Sequence, residues 1–299
     1  VPVPGDEEGG TVTFIDTPGH AAFDEMRSRG ANVTDLVILA VAADDGVMAQ
    51  TVQSIKAAKS ADVPIIVALT KSDKPNADAQ KVKLELLEQE VILEEFGGDV
   101  LHAQVSAITG DGIDSLFEQI GMQSEILDLK ANPDRAATGT VIEAKQVQGQ
   151  GAVATVLVQR GTLHVGDIVV AGAQWGRVRT LVDDSGTKLE ESGPSMAVEL
   201  VGLSGLPEAG DALTVTPDDQ KARDLAETRQ RLARDRRSSA IFAANAQAQQ
   251  QAFLGGQQGL PTKLLDFVVK ADVQGSAEAL SSALAELEAA DDKLQVKTR

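Results

Sequence analysis

The chain has 299 residues, of which 42% are hydrophobic, and this is enough for two or three folded domains with aliphatic cores. Its formal net charge of −18 opposes non-specific binding to nucleic acid or anionic membranes, and the absence of cysteine excludes disulfide scaffolds and thiolate metal sites. No apolar run approaches the ~20 residues that cross a bilayer, so the sequence predicts no membrane partner.

The first predicted domain covers residues 1–131, where short apolar runs alternate with amphipathic stretches. This alternation is typical of an α/β domain whose mostly parallel sheet carries helices on both faces. Ligands of such sheets bind beyond the carboxyl ends of the strands. The predicted strands are residues 11–15, 36–41, 64–69 and 100–105, and the predicted helices are residues 21–31, 49–60, 78–95 and 113–129.

A second predicted domain covers residues 132–217, because helical periodicity ends near Pro133 and short strands separated by glycines follow. That pattern predicts a small closed β-barrel. The candidate strands are residues 138–144, 152–160, 167–171, 176–182, 196–201 and 212–216.

The remaining sequence predicts a helical linker over residues 218–261 and the start of a third α/β domain over residues 262–299. In the third domain, strand patterns at 264–270 and 294–296 flank a helical pattern at 276–288. A basic cluster in the linker predicts either contact with RNA phosphates or a solvated helix face. Its members are Arg229, Arg231, Arg234, Arg236 and Arg237.

A polar motif, Asp16-Thr17-Pro18-Gly19-His20, follows the first predicted strand. A carboxylate at this edge is suited to hold Mg²⁺ through a bound water, and the backbone N–H of Gly19 can approach a terminal phosphate. His20 is a candidate to orient a water for in-line attack. The alternative is a turn that begins at Asp16 and binds no ligand.

A second polar motif, Thr70-Lys71-Ser72-Asp73, follows the third predicted strand. The Asp73 carboxylate is suited to accept hydrogen bonds from N1 and N2 of guanine, and the stem of Lys71 can lie along the ring. Adenine would leave that charge unpaired, so a carboxylate here selects guanine. The alternative is an ordinary polar turn, which the spacing and strand order disfavour.

Ser106 and Ala107 end the next predicted strand, where a backbone N–H can reach guanine O6. These motifs correspond to half of a GTP site. The other half, a GxxxxGK[ST] phosphate loop, does not occur in the 299 residues. The sequence is therefore predicted to be a fragment of a GTPase that binds little nucleotide by itself.

Beyond these motifs, nearly the whole chain resembles bacterial and organellar translation initiation factor two. In the GTPase region the resemblance is carried by residues 16–60, by Gly97-Gly98-Asp99 and by Val105-Ser106-Ala107. In the barrel and beyond it is carried by Arg160 to Leu163, Val165-Gly166-Asp167, Gly193-Pro194-Ser195, Gly202 to Pro207 and Lys270 to Ser276.

The resemblance implies a monomeric, ribosome-activated GTPase that binds GTP or GDP with Mg²⁺. It implies that this GTPase joins the small ribosomal subunit, recruits formylated initiator tRNA, and hydrolyses GTP when the large subunit docks. By resemblance, Asp16 to Gly19 form the nucleotide-sensing switch. The family's tRNA-binding C-terminal domain is not in the sequence. Thr70 replaces the Asn of most members, and a hydroxyl makes only some of the hydrogen bonds of an amide.

Two rival functions share parts of this pattern. An elongation or selenocysteine-type factor has the same switch and barrel, and a non-hydrolysing GTPase-like binding protein would need no phosphate loop. Thr70, together with Gln174-Trp175-Gly176, resembles plant and algal mitochondrial members. The predicted location is therefore the mitochondrial matrix, with the bacterial cytoplasm or plastid stroma as alternatives.

Overall fold

The computed structural model describes residue 1 and residues 11–254, 268–271 and 273–290. The chain divides into two compact units, with one boundary between Ala131 and Asn132 and a second between Ser281 and Ser282. None of the helices in the described part of the chain has the length and apolarity that crossing a bilayer requires.

The first unit is built on a parallel sheet, as predicted, but the sheet has three strands, in sequential order. Its elements in chain order are α1 (Asp24–Val33), β1 (Val37–Ala42), α2 (Ala49–Ser60), β2 (Ile65–Thr70), α3 (Ala79–Glu88), β3 (His102–Gln104) and α4 (Ile113–Leu127). Single 3-10 turns cover Ala21–Phe23 and Glu94–Phe96.

Both faces of this sheet are covered, because alternate residues of its apolar strands point to opposite sides. One face packs against α2 and α3, and the other packs against α4. The first cluster includes Leu39, Val41, Ile55, Val67, Leu69, Val82 and Leu86. The second includes Ile66, Ala68, Leu101, Ala103, Leu116, Phe117 and Ile120.

The strand predicted over residues 11–15 is wrong: only Thr11 takes part in an isolated bridge, and the next four residues have no regular structure. A strand needs a ladder partner, and within the described residues Val12 pairs only with Val1. The segment is attached by its side chains instead. Phe14 meets Phe117 of α4 edge to face, with ring centroids 6.1 Å apart.

The helix predicted over residues 78–95 is too long. Helix α3 ends at Glu88, and Glu90 adopts a positive φ of 60° that stops helical propagation. Val91 and Leu93 are nevertheless buried, and Leu93 forms a bridge with Val100. The apolar residues of this segment are therefore buried from two backbone conformations, the α-helix that ends at Glu88 and the non-helical segment that follows it.

The second unit contains a closed antiparallel barrel of six strands, in the order β4-β5-β11-β8-β7-β12 and back to β4. The strands of the second unit are β4 (Thr138–Val147), β5 (Gly151–Arg160), β6 (Leu163–His164), β7 (Ile168–Ala171), β8 (Gln174–Val182), β9 (Lys188–Leu189), β10 (Glu191–Ser192), β11 (Ala197–Leu203) and β12 (Ala212–Thr216). The short strands β6 and β10 pair with each other. Its core is built from valine, leucine and alanine alone, as the low aromatic content requires.

The barrel closes where β8 and β11 cross, and glycines make this close approach possible. A Cβ added to Gly176 would lie 2.2 Å from the carbonyl oxygen of Gly202, and a Cβ on Gly202 would lie 2.0 Å from that of Arg177. Gly202 also has a φ of 134° and marks a register shift in β11. Both the space and the backbone conformation therefore require glycine at this position.

Replacing Gly202 by Ala is expected to lower the free energy of unfolding of the barrel by about 2 to 5 kcal/mol, because strain and overpacking add. Trp175 is the only tryptophan of the chain and lies in β8, so its fluorescence during urea denaturation reports on this unit. Gly149→Ala is the matched control, since Gly149 has a φ of 86° but nothing within 4 Å. Equal losses for the two variants would show that the crossing imposes no steric requirement.

The predicted linker helix is α5 (Asp219–Leu254), and its first turns pack on the barrel. Ala222 and Ala226 are buried, and the guanidinium of Arg223 lies over the Trp175 ring at 4.7 Å from its centroid. Arg229 donates to the carbonyl oxygen of Gly172 at 3.0 Å. Arg229, a member of the predicted basic cluster, thus attaches the helix to the barrel, while the side chains of Arg236 and Arg237 lie outside the description.

In the predicted third domain, the described residues contain one helix, α6 (Gln274–Ala290). Residues 268–270 lack the predicted strand conformation, although Val273 bridges to Lys145 of β4. The rest of the predicted strand 264–270 and the strand at 294–296 lie outside the described residues.

Candidate functional site

The carboxyl ends of the three parallel strands meet at one edge of the first unit, and a polar segment follows each of them. Asp44 and Asp45 follow β1, the segment Lys71–Asp73 follows β2, and Ser106 follows β3. The Ala43 N–H donates to the Thr70 carbonyl oxygen at 2.9 Å, so the first two segments leave the sheet side by side. This is the edge at which parallel α/β sheets bind ligands.

Asp73 and Ser106 are brought into direct contact. The buried Ser106 hydroxyl donates to Oδ1 of Asp73 at 2.6 Å, across 33 residues of sequence. The same hydroxyl oxygen accepts from the backbone N–H groups of Ile108 (3.3 Å) and Thr109 (3.2 Å). Ser106 therefore fixes the carboxylate of Asp73, whose side chain is otherwise exposed.

The turn after Ser106 leaves a backbone donor available. The Gly110 N–H donates to the Ser106 carbonyl oxygen at 2.9 Å, which closes the turn around exposed Ala107. Within the described residues, the Ala107 N–H donates to no protein group. An exposed donor thus lies beside a fixed carboxylate, which is the pairing that a guanine edge requires.

Lys71 has a positive φ of 59°, and its ammonium is held by two carboxylates. Its Nζ lies 2.8 Å from Oδ2 of Asp45 and 3.1 Å from Oδ1 of Asp44. Lys74 lies 2.6 Å from Oδ2 of Asp44, whose side chain is only 7% exposed. With the ammonium anchored at its end, the methylene stem of Lys71 is available as an apolar surface.

The hydrogen bond from Lys74 and the nearby Lys71 ammonium lower the pKa of Asp44 to about 2, although burial opposes the shift. A lowered carboxyl pKa stabilises the fold above the pKa of the unfolded chain, and this contribution disappears as pH falls through the folded value. We expect the stability difference between the wild-type chain and Asp44→Asn to be constant near pH 7 and to shrink between about pH 4 and pH 2.

Urea denaturation followed by circular dichroism at several pH values measures this difference. Asp62→Asn is the matched control, because Asp62 is exposed at the end of α2 and has no ion pair within the described residues. A difference that stays the same down to pH 2 would contradict the ion-pair geometry.

The motif at residues 16–20 forms an exposed turn before α1. The Thr17 methyl group lies close to the position that a Cβ would take on Gly30, at 3.3 Å. Asp16 makes no hydrogen bond or ion pair within the described residues, and no group of three acidic or histidine side chains there could hold a metal. One free carboxylate fits Mg²⁺, which keeps its waters and takes few protein ligands, whereas it would not fit a fully protein-ligated ion.

Arg27 of α1 holds this turn from inside. Arg27 is 7% exposed, and its Nη1 donates to the carbonyl oxygens of Pro18 (3.0 Å) and His20 (2.8 Å). Its Nη2 forms an ion pair with Asp24 and donates to Oε1 of Gln53 on α2 at 3.3 Å. The buried charge is thereby paired and hydrogen-bonded.

The structure thus connects the predicted residues Thr70, Lys71 and Asp73 with Ser106 and Ala107 at one edge. Within the described residues, no hydrogen bond or ion pair joins them to the turn at residues 16–20. The sequence predicts no role for Arg27, Asp44 or Asp45. The signal for the two carboxylates was their position directly after a buried strand; for Arg27 the sequence offers none.

Sequence comparison matches the two units separately. Residues 5–124 match the model of the family described as "Elongation factor Tu GTP binding domain", and residues 136–216 match "Elongation factor G domain 2". The first match contains the strand ends described above, and the second contains the barrel.

Two curated relatives match almost the whole chain. Translation initiation factor IF-2 of Parvibaculum lavamentivorans is 55% identical over 279 residues, which cover 93% of this chain and 31% of the relative. That of Cereibacter sphaeroides strain ATCC 17025 is 55% identical over 278 residues, which cover 93% of this chain and 33% of the relative. The chain therefore spans about a third of the length of these relatives.

Solved structures show the same architecture. GDP-bound aIF5B from Aeropyrum pernix aligns with a TM-score of 0.60 at 25% identity, over 73% of this chain and 45% of that chain. A bacterial selenocysteine-specific elongation factor, EF-Sec, aligns with a TM-score of 0.51 at 25% identity, over 68% of this chain and 35% of that chain.

Proposed function

We propose, on the premise that this chain belongs to the translation initiation factor IF-2 family, that the protein carrying it is a GTP-dependent initiation factor. The supporting observation is the fixed pair of Asp73 and Ser106 at the carboxyl edge of the parallel sheet, beside the exposed N–H of Ala107. A relative of similar architecture, aIF5B, is GDP-bound in its crystal structure.

In this proposal, guanine lies at the edge formed by the last two strands. One oxygen of Asp73 is occupied by Ser106, and the carboxylate accepts the N1 and N2 donors of the base. The Ala107 N–H donates to O6, and the anchored stem of Lys71 covers one face of the ring. Adenine carries an acceptor at N1 and a donor at position 6, so both contacts would be mismatched.

The turn at residues 16–20 acts on the phosphate side. Asp16 would hold Mg²⁺, which would supply neutralisation of the phosphate charge. The Gly19 N–H donates to the terminal phosphate of GTP, and His20 orients the attacking water. All three groups are exposed in this turn, as a contact with a ligand requires.

The proposed partners are the small and large ribosomal subunits and formylated initiator tRNA, the latter through a part of the protein outside this sequence. Ribosome docking activates hydrolysis in this proposal. A selenocysteine-type elongation factor is the second candidate, supported by the likeness to EF-Sec. The 55% identity to IF-2 over 93% of the chain favours the initiation factor. The location in the mitochondrial matrix stays a prediction, and both relatives described above are bacterial.

Reconstitution with ribosomes tests the proposal. The full-length protein should increase binding of initiator tRNA to the small subunit with GTP more than with GDP, and it should hydrolyse GTP when the large subunit is added. Equal tRNA binding with and without GTP would contradict it. For the 299-residue chain alone, calorimetry should show weak nucleotide binding, because its sequence has no phosphate loop. Micromolar affinity of this chain would contradict that part.

A further inference from the structure

The proposed function assigns no role to the buried guanidinium of Arg27. It lies at the centre of four contacts: two backbone carbonyls of the turn, the Asp24 carboxylate and the Gln53 amide on α2. Burying a charged guanidinium carries a desolvation cost, which an arginine on a solvent-exposed helix face would avoid. The contacts to the turn therefore need a reason of their own.

The two carbonyls that Arg27 binds determine where the neighbouring N–H groups point. In a trans peptide unit, the carbonyl oxygen and the following N–H point in opposite directions. Because the Pro18 carbonyl points to Arg27, the Gly19 N–H must point away from Arg27. Within the described residues this N–H donates to no protein group, so it is available to a ligand.

Glycine would otherwise leave this peptide free to rotate. Gly19 has no Cβ to restrict φ, and a Cβ placed there would meet only Oε1 of Gln50, at an ordinary 3.6 Å. Local sterics therefore do not fix the orientation of the Pro18–Gly19 peptide. The Nη1 group of Arg27, which donates to the carbonyl oxygens of both Pro18 and His20, supplies that constraint.

We infer that Arg27 is a positioning residue that holds the Gly19 N–H toward the terminal phosphate of GTP and so sets the preference for GTP over GDP. This inference rests on the proposed function. GDP lacks the γ-phosphate that this donor would bind, so Arg27 contributes to GTP affinity and not to GDP affinity. Its guanidinium is bonded to protein groups and does not itself touch the nucleotide.

The test measures dissociation constants for GTP and GDP with the full-length protein, using fluorescent nucleotides. Arg27→Gln should weaken GTP binding about tenfold, or about 1.4 kcal/mol, and leave GDP binding unchanged. Arg27→Lys should restore part of the preference, because an ammonium can still donate to one of the carbonyls. The control Arg29→Gln should change neither constant, because Arg29 pairs with Glu25 on the surface of α1.

Thermal unfolding separates this role from simple destabilisation, which would weaken both nucleotides together. If Arg27→Gln fails to fold, the double variant Asp24→Asn with Gln53→Ala loosens the guanidinium while keeping its charge, and it should lower the GTP preference about threefold. An unchanged ratio in the folded variants overturns the positioning role. A wild-type protein that binds neither nucleotide overturns the proposed function, and the inference with it.

Discussion

Replacing Asp73 by Asn is expected to weaken GTP binding by the full-length protein about 10- to 100-fold, the value of one hydrogen bond to a charged group. Guanine presents two adjacent donors, N1–H and the N2 amino group, and a carboxylate matches both. An amide offers one donor and one acceptor. Xanthine carries a carbonyl in place of the amino group, so the variant should gain affinity for xanthosine triphosphate.

Competition binding with GTP, ATP and xanthosine triphosphate measures this change. Asp114→Asn is the matched control, because Asp114 is an exposed carboxylate in the first turn of α4. Ser106→Ala removes the bond that fixes Asp73 without removing the carboxylate, and it should weaken GTP binding less than Asp73→Asn does. Unchanged preference among the three nucleotides in Asp73→Asn would exclude Asp73 as the base-reading residue.

The parts of this fold that could be predicted from sequence are those set by local patterns. Continuous aliphatic runs such as 64–69 have to be buried on both sides, and they gave the parallel sheet and its helix-covered faces. The position of Asp73 and Ser106 followed from the same reasoning, because parallel strands end at one edge. The sequence predicts that both residues lie at this edge, whereas the structure shows that their side chains meet in a direct hydrogen bond.

The errors and omissions involve contacts that local sequence does not encode. Residues 11–15 have the composition of a strand, but a strand exists only where another backbone pairs with it, and no strand within the described residues does. The helix predicted over residues 78–95 extends past the end of α3 because Val91 keeps the helical spacing. Its burial comes from an extended segment that follows the positive φ of Glu90.

Arg27 and Asp44 illustrate a further limit. Both are charged residues that composition alone would place on the surface, yet both side chains are more than nine-tenths buried. Their burial depends on partners between three and 30 residues away in sequence, such as Gln53 for Arg27 and Lys74 for Asp44. The sequence therefore indicates which groups could meet a nucleotide, whereas the structure shows which groups hold them in place.

Replacing His20 by Ala is expected to lower the rate of ribosome-stimulated GTP hydrolysis about 10²- to 10⁴-fold. The imidazole is exposed, while the backbone at this position is bonded to Arg27 through its carbonyl. Removing the side chain therefore leaves the turn intact and takes away only the group that orients the water. GTP affinity should stay close to that of the wild type, so the loss should lie in the rate of the chemical step.

Single-turnover hydrolysis with saturating ribosomes isolates that step from binding and product release. His164→Ala is the matched control, because His164 is another exposed histidine, lies in β6 of the second unit, and has its Nε2 3.3 Å from Oε2 of Glu191. If His20→Ala weakens GTP binding as strongly as it slows hydrolysis, the histidine supports the structure of the turn. If both variants hydrolyse GTP at the wild-type rate, the water is oriented by another group, and the exposed turn serves only to sense the phosphate.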